Sequence, residues 1–454
     1  MPHQFQLRAA LARAGGQRER LNVAFTVEPY WLGSGAADLQ LHAAIDISAD
    51  GVQAVIASTP LPDLPLATLA ERFGSPVLAL DAPLLLQPIA VAKPWGRELW
   101  YTGIEARGHS CAVGNGHALP LAHLLALAPE YLCQDLARSL VLLKVLDPHP
   151  DESLGDLYFE VHDVKREVYV VTHVDQRAWP DGRGAIRFGM NQKLRRTLGG
   201  DAAFRNAYRS AVSTYEQVRR KIDALLDARR AIEGVALDAP VAPDITLQWL
   251  ADVPKSLRDS EESLRRAMHR FTQLRRLEVG DVVAVPPLTP HALQHGVRVV
   301  EFQTPVYERQ ILSFTQKVLT QAHWDSAAAI AKMRLDAART QVQLLANSPD
   351  VQIERIIDFP DFQVQRIRLA RGATTPLPQA SYALCLGIEG TTGIGATTLA
   401  PEQACFVPHA AWPQTGRGRA PMLRNDHEED AVCLLALPRQ HTTAADSAGR
   451  QTAQ

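Results

Sequence analysis

The 454-residue chain is short of the features that usually place a protein quickly. Its five cysteines (Cys111, Cys133, Cys385, Cys405 and Cys433) form an odd set without a close pair. That argues against both a disulfide framework and a thiolate zinc site, and a reducing cytoplasm is the compartment it predicts. Charge of one sign is missing too: 47 Lys and Arg stand against 49 Asp and Glu, so no net field draws the chain to nucleic acid. Every apolar run is broken by Pro, Asp or Arg before it reaches membrane-spanning length, and a soluble protein with no membrane partner is expected. The opening "MPHQFQLRAALARAGGQRER" is basic and amphipathic but lacks the continuous apolar stretch of a secretory signal, and reads as a short surface helix. What the chain does have is apolar content, 46% of its residues, enough for two or three domains with a sizeable core.

Along the chain the periodicity changes several times. Residues 1–90 form an N-terminal extension of unknown role, with strand-like pieces such as "LNVAFTV" and "VQAVIAS" and no motif that carries chemistry. Residues 91–200 hold short β-like runs ("SLVLLKVLD", "DLYFEVHD", "REVYVVTHV", "GAIRFGMN") separated by Gly, Pro and Asp, the rhythm of an antiparallel sandwich or barrel. Residues 201–272 switch to helical spacing, and their Arg-rich faces, interleaved with acids and alanines, read as solvated helix surface. The β pattern returns at 273–320, so the expected arrangement is one barrel interrupted by a helical insertion. A connecting helix over 321–350 leads to a second β-rich region at 351–438, where "LAPEQACFVPHA" echoes "LEVGDVVAVPPLTPHA". The tail 439–454 is small and polar and reads as disordered.

One short stretch carries most of the functional signal. "EVHDVKREVYVV" places Glu160, His162 and Glu167 within eight positions, with Asp163, Val164 and Lys165 as a tight connection between two strands of a hairpin. Strand alternation puts Glu160 and His162 on one face, and Glu167 folds back beside them. Read alone, these residues also suit an ordinary solvent-exposed hairpin. His291, after a strand and the Pro-rich turn of "GDVVAVPPLTPHAL", adds a second imidazole. Two imidazoles and two carboxylates make a mixed N/O donor set that suits Zn²⁺ or another first-row divalent ion, as in the small β-barrels called cupins.

Taken in order, these segments resemble the type I mannose-6-phosphate isomerases (phosphomannose isomerases), zinc-dependent cupins. "KPWGRELWYTGIEARGHSCAVGNG" resembles the family's Trp-Gly and Glu-Leu-Trp segments. "LLKVLD" followed by "LYFEVHD" resembles the strand pair leading to its Gln-x-His metal motif, "VKREVYVV" its Lys-x-Glu hairpin, and "VPPLTPHAL" the segment with its last metal histidine. The resemblance covers roughly residues 91 to 320, with a weaker echo to 438. It implies two cupin-like β-barrels (double-stranded β-helix or jelly roll) with an α-helical insertion, mainly β overall, and metal ligands Glu160, His162, Glu167 and His291. It further implies substrate-binding roles for Lys144 and Lys317, and catalytic roles for Lys165, Glu301 and Arg309. Which of Lys165 and Glu301 moves the proton stays open. His409 stands without a histidine-bearing hairpin, so the C-terminal barrel is expected to be structural.

The chain departs from the family in places. Glu160 stands where the family has Gln, Tyr158 where it has a small hydroxyl residue, and "QTPVYE" replaces an Asn-bearing loop. Thr315 and Lys317 fall at matching offsets, whereas an ungapped comparison puts Ile311, not Arg309, at the arginine position. The implied activity is a metal-dependent aldose–ketose isomerisation of a sugar phosphate, most simply mannose 6-phosphate to fructose 6-phosphate. Two alternatives remain: a sugar-phosphate-binding cupin without catalysis, and a cupin enzyme of another class such as a metal-dependent oxygenase. Nothing in the sequence fixes an oligomeric state.

Overall fold

The computed structural model describes residues 7, 9–11, 18–33, 35–413 and 420–439. From position 440 the tail lies outside the described residues, as does most of the amphipathic N-terminal stretch. Two compact units are present, one made of residues 90–99 and 144–340, the other of 1–89, 100–143 and 341–454. All the candidate site residues fall in the first.

That unit is built on two sheets. The six-stranded sheet runs in the order Val282–Val285, Glu167–Val174, Val297–Gln303, Leu142–Pro148, Gly96–Trp100, Ile89–Lys93. The five-stranded sheet runs Thr272–Leu277, Gly184–Met190, His291–Leu293, Phe159–Val161, Gln310–Ser313. Runs such as "VYVV" and "VVEF" lack polar alternation, and the strands that hold them, Glu167–Val174 and Val297–Gln303, are buried almost throughout. That is the pattern of strands covered on both faces. Tyr169, Val171, Val283, Val285 and Val299 from the larger sheet share one core with Phe159, Ile186, Phe188 and Leu293 from the smaller. Both ladders have linear strand orders, so among the described residues the expected closed barrel is found as open sheets around a common core.

Four helices, Gln192–Thr197, Asp201–Glu233, Pro243–Ala251 and Lys255–His269, lie between Gly184–Met190 and Thr272–Leu277. Those two strands are antiparallel neighbours, from Gly184 opposite Leu277 to Met190 opposite Thr272. The helices are thus a single long connection between adjacent strands. Asp201–Glu233 buries Phe204, Tyr208, Val212, Tyr215, Arg219, Ile222 and Leu226 along one stripe at three- and four-residue spacing, the signature of an amphipathic helix. Phe204, Tyr208, Val212 and Tyr215 enter the sheet core, each large apolar side chain there contributing about 1.5–3 kcal/mol. The helix ends at Gly234, whose φ of 68° provides the left-handed C-terminal turn that a residue with a Cβ adopts only at a cost.

In the second unit, residues left silent by the sequence form a four-stranded antiparallel sheet, Glu19–Val27, Leu39–Ser48, Gly51–Ala57 and Leu78–Ala79. The helix Leu66–Phe73 packs Leu66, Leu69 and Ala70 against Ala44 and Val55 of that sheet. A nine-stranded sheet extends from His117–Pro120 to Gln343–Asn347 and includes Tyr382–Glu389, Ala404–Pro408 and Ala431–Pro438. All five cysteines are free, and four are buried. No helix among the described residues is long and apolar enough to cross a membrane.

Candidate metal centre

The hairpin expected at 160–171 is a corner instead. Phe159–Val161 pairs with His291–Leu293 and Gln310–Ser313 in the smaller sheet, whereas Glu167–Val174 pairs with Val282–Val285 and Val297–Gln303 in the larger. Residues 162–166 therefore carry the chain from one sheet to the other. A period-two pattern shows that two strands follow each other; it does not say that they pair. The corner is held by Glu308, whose Oε1 accepts the backbone N–H groups of Val164 and Lys165 at 2.5 and 2.8 Å. It is also held by the Leu288 N–H, which donates to the His162 carbonyl at 2.7 Å. Leu288 has φ +63°, a left-handed conformation that costs a leucine about 1–2 kcal/mol.

This corner brings the four ligand-type side chains together. Glu160 lies directly opposite His291 in the ladder. The Nε2 of His162 is 3.6 Å from Glu160 Oε1 and 3.4 Å from Glu167 Oε1, and His291 Nε2 is 3.0 Å from Glu167 Oε2. One donor atom each from Glu160, His162 and His291 falls within 4.8 Å of the others. His162 and Glu167 are each 1% exposed and His291 2%. Even so, Glu160 Oε2, both ring nitrogens of His162 and Nε2 of His291 have no hydrogen-bond partner. Buried polar atoms left without partners carry a penalty of about 1–3 kcal/mol each, and a cation where the Glu160 carboxylate, His162 Nε2 and His291 Nε2 meet would satisfy those three side chains, with His162 Nδ1 outside its reach. His291 Nδ1 lies 2.9 Å from the Thr289 carbonyl; as donor to that oxygen it leaves Nε2 as the lone pair facing the cluster, the support usual for a ligand histidine.

Around these lie the charged groups. Lys165 Nζ is 2.7 Å from Glu167 Oε1, and the Tyr169 hydroxyl donates to Glu167 Oε2 at 2.8 Å. Lys144 donates to Gln303 Oε1 at 2.7 Å and lies 3.6 Å from Glu301 and 4.0 Å from Glu98. Burial pushes the Glu167 carboxyl upward, but the positive charge of Lys165 and contact with His162 and His291 prevail and hold it well below the usual range. Burial, reinforced by the Glu167 carboxylate, lifts Glu301 to about 8 against the pull of Lys144. Burial and the Lys165 ammonium lower His162, which keeps its ring neutral and suited to ligation. For His291, burial lowers the pKa, but the Glu167 carboxylate 3.0 Å from its Nε2 outweighs burial and raises it.

Not every candidate joins the cluster. The Arg309 guanidinium stacks on the Tyr158 ring, 4.4 Å from its centroid, and its Nη2 reaches Thr320 Oγ1 at 2.5 Å. Lys317 is paired with Asp227 of the long helix at 2.5 Å and lines a separate small cavity with Arg219 and Trp249. The Thr315 carbonyl accepts from Arg219. Ile311, at the ungapped arginine position, is wholly buried in the core. In the other unit His409 is served by the Ala380 carbonyl and by Gln134. Sequence reasoning passed over Glu98, Tyr169, Gln303 and Glu308. Tyr169 and Gln303 were readable, because each lies two positions beyond a candidate on the same strand and so on the same face. Glu308 carried no local signal.

No protein-family profile and no curated protein matches the chain. Its backbone, by contrast, is similar to solved structures. The mannose 6-phosphate isomerase from Bacillus subtilis superposes with a TM-score of 0.53 at 13% identity, over 78% of this chain and 99% of that one. A variant of the phosphomannose isomerase from Salmonella typhimurium gives 0.54 at 12%, over 79% and 100%. A zinc-bound mannose 6-phosphate isomerase gives 0.51 at 14%, again over 79% and 100%. The chain thus has the mainly β fold, with helices, of the type I phosphomannose isomerases.

Proposed function

We propose that the chain is a metal-dependent aldose–ketose isomerase acting on a sugar phosphate, with mannose 6-phosphate and fructose 6-phosphate as the simplest pair. The observation that carries this reading is the convergence of the buried His162 and His291 imidazoles and the half-buried Glu160 carboxylate, each with an unpartnered donor atom, beside the buried Glu167 carboxylate, in a fold shared with zinc-bound isomerases. In this reading Glu160, His162, Glu167 and His291 hold Zn²⁺ or another divalent ion between the two open sheets of a cupin-like unit, which carries a helical insertion and is followed by a second, structural cupin-like unit. The free cysteines fit a reducing cytoplasm.

A divalent ion held there supplies positive charge that polarises the sugar oxygens at C1 and C2. The chain's own residues do the rest. Isomerisation takes a proton from the carbon beside the carbonyl and returns it to the neighbouring carbon. Glu301, on the core-facing side of Val297–Gln303 next to Glu167 and Lys144, is the carrier in this reading, supported by its raised pKa of about 8. Lys165 and Lys144 offer ammonium groups to the developing negative charge on oxygen, which suits an anionic substrate better than oxygenase chemistry. Arg309 is the candidate for holding the phosphate, with Tyr158 as its platform. Glu160, in place of an amide, adds negative charge that holds the cation tighter and weakens its Lewis acidity.

A second reading, a sugar-phosphate-binding protein without turnover, draws on the altered segments near the site: Tyr158 stands where the family has a small hydroxyl residue, and "QTPVYE" replaces its Asn-bearing loop. One experiment separates the two. Metal content and isomerisation of a panel of aldose 6-phosphates are measured on the same preparation. Metal-dependent turnover of any of them is the expected result. A metal-replete protein that binds one of them and converts none turns the assignment to the second reading, and a protein that retains no metal rejects both the centre and the isomerase.

A further inference from the structure

We infer a second binding site, for the phosphate group of a small metabolite, on the face of the six-stranded sheet opposite the metal cluster. It is a cavity of about 420 Å³ in the same unit, lined by Arg97, Arg177 and Arg298 together with His149 and His173. Only two carboxylates, Asp147 and Asp175, share the lining. Three guanidiniums against two carboxylates leave the cavity positive before either imidazole takes a proton.

The arginines are anchored. Asp147 Oδ2 accepts from Arg97 Nε at 2.8 Å and lies 3.0 Å from Arg298 Nη1, so one carboxylate orients two guanidiniums. Asp175 does the same for Arg177, accepting from its backbone N–H and its Nε. A guanidinium held in this way loses less entropy on meeting an anion, and its planar fork matches phosphate oxygens. The Asp151 N–H donates to His149 Nδ1 at 3.1 Å, which puts the neutral ring's proton on Nε2 and makes that nitrogen a further donor. Two glycines complete the wall. A Cβ on Gly96 would fall 2.3 Å from the Asp147 carbonyl, and Gly296 has φ +62°, so the turns at this end of the sheet close up as only glycine allows.

Strand alternation separates this site from the cluster. Arg97 precedes Glu98, Asp147 lies three positions beyond Lys144, and Arg298 three before Glu301. In each case an odd step puts the two side chains on opposite faces of the same strand. The inference stands without the isomerase reading.

The test is calorimetric titration of inorganic phosphate at fixed ionic strength. The full-length His162→Ala/His291→Ala protein, with the inner cluster disabled, should still bind. Adding Arg97→Ala and Arg177→Ala, whose side chains are 55% and 80% exposed and so dispensable for folding, should weaken binding about tenfold or more. Asp175→Asn, which keeps the acceptor for the Arg177 amide but removes a negative charge, should tighten binding about threefold, a gain that misfolding cannot produce. Absence of binding in the cluster-disabled protein, unchanged affinity on losing the two arginines, or unchanged or weaker binding by Asp175→Asn overturns the assignment.

Discussion

At the scale of single residues, the centre joins groups whose protonation and partners depend on one another, and substitutions should separate the ligands from the bystanders. His162→Ala removes an imidazole flanked by two carboxylates, whereas His409→Ala removes one served by a carbonyl and an amide. Elemental analysis of the purified variants should find metal reduced about tenfold or more in the first and unchanged in the second. Equal contents would place the ion elsewhere. Glu160→Gln tests the charge argument: it should weaken metal retention against a competing chelator by about tenfold while raising turnover per bound ion, since a less neutralised cation polarises oxygen more strongly. Retention that does not change would remove Glu160 from the ligand set. The meeting of Glu160, His162, Glu167 and His291 was legible because three of them crowd into eight positions and the fourth follows a Pro-rich turn. The Lys317–Asp227 pair was not, because its partner sits on a helix 90 residues away in sequence and only tertiary packing brings the two together.

At the scale of elements, the corner from Phe159–Val161 to Glu167–Val174 positions the site, and Glu308 secures it through two backbone amides. Glu308→Ala should cost about 1 kcal/mol in chemical denaturation. It should also weaken metal binding severalfold, because His162 and Glu167 lie at the two ends of the loosened segment, and Glu308→Gln should restore most of both. A loss of stability without a loss of metal affinity would show that the ligands are fixed by their strands alone. Element types were partly readable from periodicity: the strands around the ligands, the helices after residue 200 and the strand before "PPLTPH" all announce themselves, but of the helix expected over 321–350 only Ser326–Lys332 is helical and Gln343–Asn347 is a strand. Their partners were not. Alternation records which way side chains point, and neither the sheet-to-sheet corner nor the open ladders leave a mark in it.

For the molecule as a whole, a cation that binds the folded chain and not the unfolded one adds to stability in proportion to its saturation, about 2.7 kcal/mol at one hundred times Kd. Chelation should therefore lower the unfolding midpoint by a few degrees. The His409→Ala protein should respond like the wild type, and the His162→Ala protein should respond little. A chelator that leaves the wild-type midpoint in place would show that the cluster holds no ion under those conditions. One consequence of the shared core reaches further. Glu160 and His291 belong to the smaller sheet and Glu167 to the larger, and Val171, Val285, Val299, Ile186 and Phe188 fill the space between those sheets. The ionic radius that the proposed centre accepts would then be decided partly by hydrocarbon. A substitution among those side chains that moved the sheets apart by a few tenths of an ångström would shift preference from the ~2.0–2.2 Å bonds of zinc toward a larger first-row ion that also accepts imidazole, with every ligand still in place.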